Sequence, residues 1–211
     1  MKKIIFLSVL FVQYFVFAQN FTKSEKELIY SGDIKTKMRV IQSTDVQELD
    51  ILLNISQDIS PKNKCLEVLI NRMFLAVTDP VEGGVGIAAP QVGINRNVIW
   101  VQRFDKENNP FEVYINPKIL WKSQLLRKGP EGCLSIPDIR GDVYRHYALE
   151  IEYFDQKGKK HIEKIEGFTA VIFQHEIDHL NGVLFTQRLE EQKEEQYHSI
   201  NSQVNLFLKK K

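Results

Sequence analysis

The stretch FQHEIDHLNG, residues 173–182, sets two histidines four positions apart, with a glutamate directly after the first. On an α-helix such positions lie one turn above each other, so His175 and His179 offer two imidazoles to one ion from the same face. Glu176 is displaced by about 100 degrees round the axis. There it can stand beside an ion without ligating it, as a base for water must. The helix predicted to carry all three, GFTAVIFQHEIDHLN, opens at Gly167 and is closed by Gly182. Phe168, Val171 and Ile172 share the histidine face one and two turns earlier and would wall the site with apolar surface. Two unconnected histidines would be the bland reading. A complete His-Glu-x-x-His on a helix ended by glycine favours a metal.

Two protein ligands hold a catalytic metal poorly, so a third must exist, and its identity decides the chemistry. One zinc-protease pattern continues with a histidine at position 185, which is Phe185, so that reading fails. A second protease pattern takes a glutamate from a later helix. Glu190, Glu191, Glu194 and Glu195 are available, in a charged run (LEEQKEEQYHS) that reads as a solvated C-terminal helix from about residue 187. Upstream, KGPEGCLSIPDIRGDVYR (128–145) presents Cys133 in a turn rich in Gly and Pro. A thiolate would complete a His-His-Cys shell and leave the fourth position to water.

The rest of the chain reads as one α+β domain over residues 19–211, helices packed on antiparallel strands. Residues 63–77 place Cys65, Leu66, Leu69, Ile70, Met73, Phe74 and Val77 on one face of an amphipathic helix. A glycine-rich loop comes next, over 83–93. From residue 96, NVIWVQRF and FEVYINPKILW have strand composition across a polar turn, and ALEIEYF and KHIEKIE read as a hairpin turning at Gln156-Lys157-Gly158-Lys159. A loose dinucleotide fingerprint at Gly84-x-Gly86-x-x-Ala89 is discounted, because a helix precedes it and Pro90 interrupts the segment where a second helix would have to begin.

The 28 basic and 27 acidic residues give a net charge of +1, and no basic track alternates with aromatics, so nucleic acid is excluded as a partner. Residues 1–18, with Lys2 and Lys3 before an apolar run and Val16-Phe17-Ala18 at its end, read as a secretory signal cut after Ala18. The apolar run of residues 4–17 falls short of the roughly 20 residues that cross a bilayer, so the mature chain is expected to have no membrane span. Export to the periplasm or envelope is the expectation, with the cytoplasm as the alternative. No bridge is expected between Cys65 and Cys133.

Three stretches in order, GVGIAAPQ (84–91), EGCLS (131–135) and QHEIDHLNG (174–182), resemble the signature motifs of peptide deformylases, with Ile87 where leucine is commoner. The resemblance runs from about residue 73 to about 189, and residues 19–60 match poorly. It implies an α+β fold of antiparallel strands around a central metal-binding helix. It also implies a monomeric hydrolase that removes the formyl group from formyl-methionyl peptides. Cys133, His175 and His179 would hold one divalent cation, ferrous iron by expectation or zinc. Glu176 would shuttle protons, while Gln91 and the Leu134 backbone N–H would stabilise the oxyanion. Gly84, Val85, Gly86, Phe168, Val171 and Ile172 would receive the substrate, with Glu131, Arg140 and Arg145 orienting ligands or peptide. The rival readings are an exported, non-catalytic formyl-peptide-binding protein and, behind it, a His-Glu-x-x-His zinc protease.

Overall fold

In the computed structural model, residues 20–201 and 203–210 are described, and the secretory-signal expectation lies outside them. Three short helices come first: α1 (Lys23–Ile29), α2 (Val46–Leu52) and α3 (Leu66–Val77). Two buried arginines fasten this N-terminal part, which the sequence alone left open. Arg96 donates from Nε and Nη2 to Glu25 of α1 at 2.7 and 2.8 Å, and Glu25 also closes a capping box with Thr22. Arg72 donates to the carbonyls of Ile29 and Thr36 at 2.8 and 3.0 Å. Backbone acceptors that would otherwise be orphaned are thereby satisfied.

The glycine-rich loop is more structured than its composition suggests. It holds β1 (Gly86–Ala88) and a 3-10 turn (Ala89–Val92), and β1 pairs with β2 (Val98–Gln102). With β3 (Phe111–Lys122), β6 (Ala148–Phe154) and β7 (Lys160–Glu166) they form a five-stranded antiparallel sheet in the order β1-β2-β3-β6-β7. The β6–β7 hairpin turns at Gly158, whose φ of 75° lies where glycine is favoured. A register shift in β3 falls at Asn116, whose side chain pairs with both backbone groups of Ile59 at 2.9 and 3.0 Å.

The segment around Cys133, expected as a turn, is a hairpin: β4 (Leu126–Cys133) and β5 (Ile136–His146), joined at Leu134–Ser135. Its glycines and prolines hid it. Pro130 is tolerated because the other neighbour of β4 pairs only with Leu126 and Arg127, leaving that edge open at the proline. The C-terminal helix expected from about 187 is also corrected. α5 spans only Phe185–Glu191, and the chain then forms β8 (Tyr197–Asn201) and β9 (Leu206–Lys209), completing a second sheet in the order β5-β4-β9-β8. Tyr197 stacks on Tyr144 at 3.7 Å and Phe207 meets the same ring edge-on at 5.1 Å. These long-range contacts override the helical composition of the charged run.

α4 (Gly167–Leu180) packs against strands of both sheets. Ala170, Ile172, Phe173, Ile177 and Leu180 are buried with Ile99, Tyr114, Leu149 and Ile151 of the larger sheet. Phe74, expected inward from α3, is 36 % exposed and lies against Trp100 at 4.9 Å. Both cysteines are free thiols, and Cys65 packs against the main core as a small hydrophobe. No helix among the described residues is long and apolar enough to cross a membrane.

Candidate active site

The last residue of β4 delivers the sulfur, and one face of α4 delivers both imidazoles. Cys133 Sγ lies 3.2 Å from His179 Nε2, and one donor atom from each of Cys133, His175 and His179 falls within 4.8 Å of the others. A thiol and two imidazoles so arranged suit a borderline divalent cation and leave an open position.

Outer partners set the orientation of each donor. His175 Nδ1 donates to Glu131 Oε2 at 2.9 Å, so Nε2 is the nitrogen left for a cation, which would bind there in place of a proton. Arg145 grips Glu131 with two bonds of 2.7 and 2.9 Å and reaches Asp178 at 2.5 Å. Arg188 holds the far side of Asp178 with bonds of 2.7 and 3.0 Å. Burial pushes the Glu131 carboxyl up, but Arg145 and His175 outweigh it and bring it down to about 2, so it stays ionised. Burial opposes a charge on His175 as well, yet the Cys133 thiol and Glu131 outweigh it and raise that imidazole to about 10. His179 goes the other way, to about 3, through burial and the nearness of His175. A site that stabilises positive charge among its donors while keeping one imidazole neutral is fitted to a cation.

Glu176 is 3 % exposed, and its Oε2 is buried without a hydrogen-bond partner among the described residues. Burial raises its pKa to about 7, where a general base is best placed. Gly86 makes room for it: a Cβ on Gly86 would stand 2.5 Å from Glu176 Oε1 and 2.9 Å from Ile172 Cγ2. The sequence assigns this glycine to a passing peptide; its first effect is to admit the carboxylate. Gln91 is 1 % exposed, its Oε1 accepting from Ala88 N at 2.9 Å, which turns Nε2 toward Cys133 Sγ at 3.4 Å.

These groups open on a cleft of about 800 Å³ lined by Gly84, Val85, Gly86, Gln91, Leu134, Phe168, Val171 and Ile172. Arg140 lines it from β5, and its side chain makes no hydrogen bond or ion pair among the described residues. Arg145, which could have been a surface charge, is 5 % exposed in the network behind His175. Three of the four glutamates of the protease reading are engaged elsewhere: Glu190 by Lys193, Glu191 by Arg188 and Glu195 by Lys209.

The family model of polypeptide deformylases matches residues 40–195. The chain belongs to the polypeptide deformylase family. Among deformylase relatives, that of Brachyspira hyodysenteriae is 40% identical over 143 residues, covering 66% of this chain and 75% of its own. The peptide deformylase of Christiangramia forsetii is 37% identical over 152 residues, covering 66% and 76%. A class I type b peptide deformylase from Acinetobacter baumannii, solved with Met-Ala-Ser bound, superposes with a TM-score of 0.65 at 35% identity, over 73% of this chain and 99% of that one. One from Synechococcus elongatus in complex with actinonin gives 0.64 at 35% identity, over 73% and 84%. The deformylase match includes all three motifs read from the sequence. Asp178 and Arg188 were missed, although Asp178 lies inside QHEIDHLNG; an acid on the same helix as the ligands was the available signal.

Proposed function

We propose that this chain is a metal-dependent amide hydrolase that removes the formyl group from formyl-methionyl peptides, releasing formate and a free amine. The observation that carries the proposal is the meeting of Cys133, His175 and His179 within 4.8 Å beside the buried carboxylate of Glu176. Ferrous iron is the expected ion, and zinc the alternative that the same donors accept.

A divalent cation in this shell supplies Lewis-acid chemistry toward water and a carbonyl. The protein supplies the rest. Glu176 takes a proton from the attacking water and hands it to the departing nitrogen as the C–N bond breaks, so one water is consumed and no proton is left over. Gln91 Nε2 and the Leu134 N–H donate to the carbonyl oxygen as it gains charge. Gln91 reaches this task preset, because Ala88 N–H fixes its other end. Val85, Phe168, Val171 and Ile172 receive the methionine side chain, while Gly84 and Gly86 let the peptide backbone approach. Glu131 and Arg145 orient His175, and Arg140 faces the peptide.

Residues 1–18 support export, with the periplasm or envelope as the place of action on formylated peptides, and the mature chain acts as a monomer without a membrane span. The test is an assay with formyl-Met-Ala-Ser. Formate release with Met-Ala-Ser as the only other product supports the reading. Cleavage between Met and Ala would favour the protease, and binding without turnover the passive receptor.

A further inference from the structure

One wall of the cleft is built differently from the others. Phe168, two turns before His175 on α4, lines the cleft and is 39 % exposed. It is gripped by two residues that the mechanism does not use. Phe104, in the turn after β2, lies 5.3 Å from it between ring centroids at a tilt of 50°. Arg127, of β4, lays its guanidinium carbon 5.6 Å from the ring centroid. Among the described residues the Arg127 side chain makes no hydrogen bond and no ion pair, so the aromatic face is its one contact of this kind.

Strand periodicity gives the arrangement its meaning. Arg127, Gly129 and Glu131 alternate onto one face of β4, Arg127 and Glu131 both meet α4, and a register shift separates them from Cys133. Glu131 and Cys133 meet the histidines at one end. Arg127 meets Phe168 at the other. Gly129 lies between them, and a Cβ there would meet nothing within 4 Å. The strand therefore leaves open space between the catalytic end and the Arg127–Phe168 contact.

We propose that Arg127 and Phe104 are specificity-determining residues that hold Phe168 in place as the outer wall of the pocket for the substrate's first side chain. The proposal rests on the deformylase reading of the site. Arg127 and Phe104 act through Phe168 and are positioning residues.

The test compares the metal-loaded full chain with Arg127→Ala, Arg127→Lys and Phe104→Ala on formyl-Met-Ala-Ser and formyl-Phe-Ala-Ser, with calorimetric binding of Met-Ala-Ser and Phe-Ala-Ser alongside. For Arg127→Ala, KM for the methionyl substrate should rise about two- to fivefold with kcat held, as loss of one cation–π contact predicts. The preference for methionyl over phenylalanyl peptide should fall by a similar factor or more in both turnover and product binding. Arg127→Lys, which keeps a cation over the ring, should restore most of it. Phe104→Ala should shift selectivity the same way, and reads the same wall if Arg127→Ala does not fold. Unchanged selectivity in variants with full metal content, or an equal loss on both substrates, would overturn the clamp while leaving the deformylase reading intact. A wild-type chain that releases formate from neither substrate overturns that reading, and the clamp with it.

Discussion

His175 Nδ1 donates to Glu131 Oε2 at 2.9 Å, and Glu131 is in turn held by two bonds from Arg145. The ligand, its carboxylate and the arginine behind it form one buried chain anchored on Asp178 and Arg188. Replacing Glu131 by Gln keeps the size but removes the charge that selects the His175 tautomer. Metal affinity should fall about 10- to 100-fold, as losses behind a metal ligand typically do. Competition with a chromogenic chelator measures this, and an unchanged affinity would show that His175 needs no such partner.

Gly86 and Glu176 are fitted to each other. Gly86→Ala puts a methyl 2.5 Å from Glu176 Oε1, and the carboxylate must move. Displacing a reacting group by about 1 Å can cost about 100-fold in rate. We expect a kcat loss of that order with the cation still bound, read by steady-state kinetics beside metal analysis. Full activity would mean that Glu176 can act from another position.

Gln91 is held at its carbonyl end by Ala88 N–H and at its amide end faces Cys133. Gln91→Ala should lower kcat about 100-fold, the usual consequence of losing one oxyanion donor. KM should change little, because the bond strengthens only as charge develops. A rise in KM at constant kcat would assign Gln91 to substrate binding instead.

Stability on the acid side should depend on Glu25. Burial pushes its carboxyl up, and hydrogen bonds from Arg96 and Thr22 outweigh it and hold it below the ordinary value of 4.5. A depressed folded-state pKa contributes stability that is present above the unfolded value and is lost as pH falls through the folded one. Glu25→Gln should therefore cost about 2 kcal/mol at neutral pH. The difference from wild type should shrink below about pH 4.5, where Glu25 takes up its proton. Urea unfolding of both proteins across that range is the check, and a difference constant with pH would exclude the pair as its source.

The site was legible because its chemistry is local in the sequence. His175, Glu176 and His179 need only a helical repeat to meet, and Cys133 is the sole cysteine in a glycine-bounded motif. What could not be read is what depends on distant contacts. The β4–β5 hairpin is disguised by Gly129, Pro130 and Pro137, and β8 exists because Tyr197 finds the ring of Tyr144 more than fifty residues upstream. Nothing in the sequence marks Arg72 and Arg96; only the folded chain shows each one buried against partners far away in sequence.

The central claim is that a sulfur from β4 and two imidazoles from α4 share one cation. The electronic spectrum of the cobalt-substituted chain tests it most directly. The predicted result is one cobalt per chain and a thiolate-to-metal charge-transfer band that Cys133→Ala abolishes. A cobalt spectrum with only nitrogen and oxygen ligation, unchanged in that variant, would contradict it.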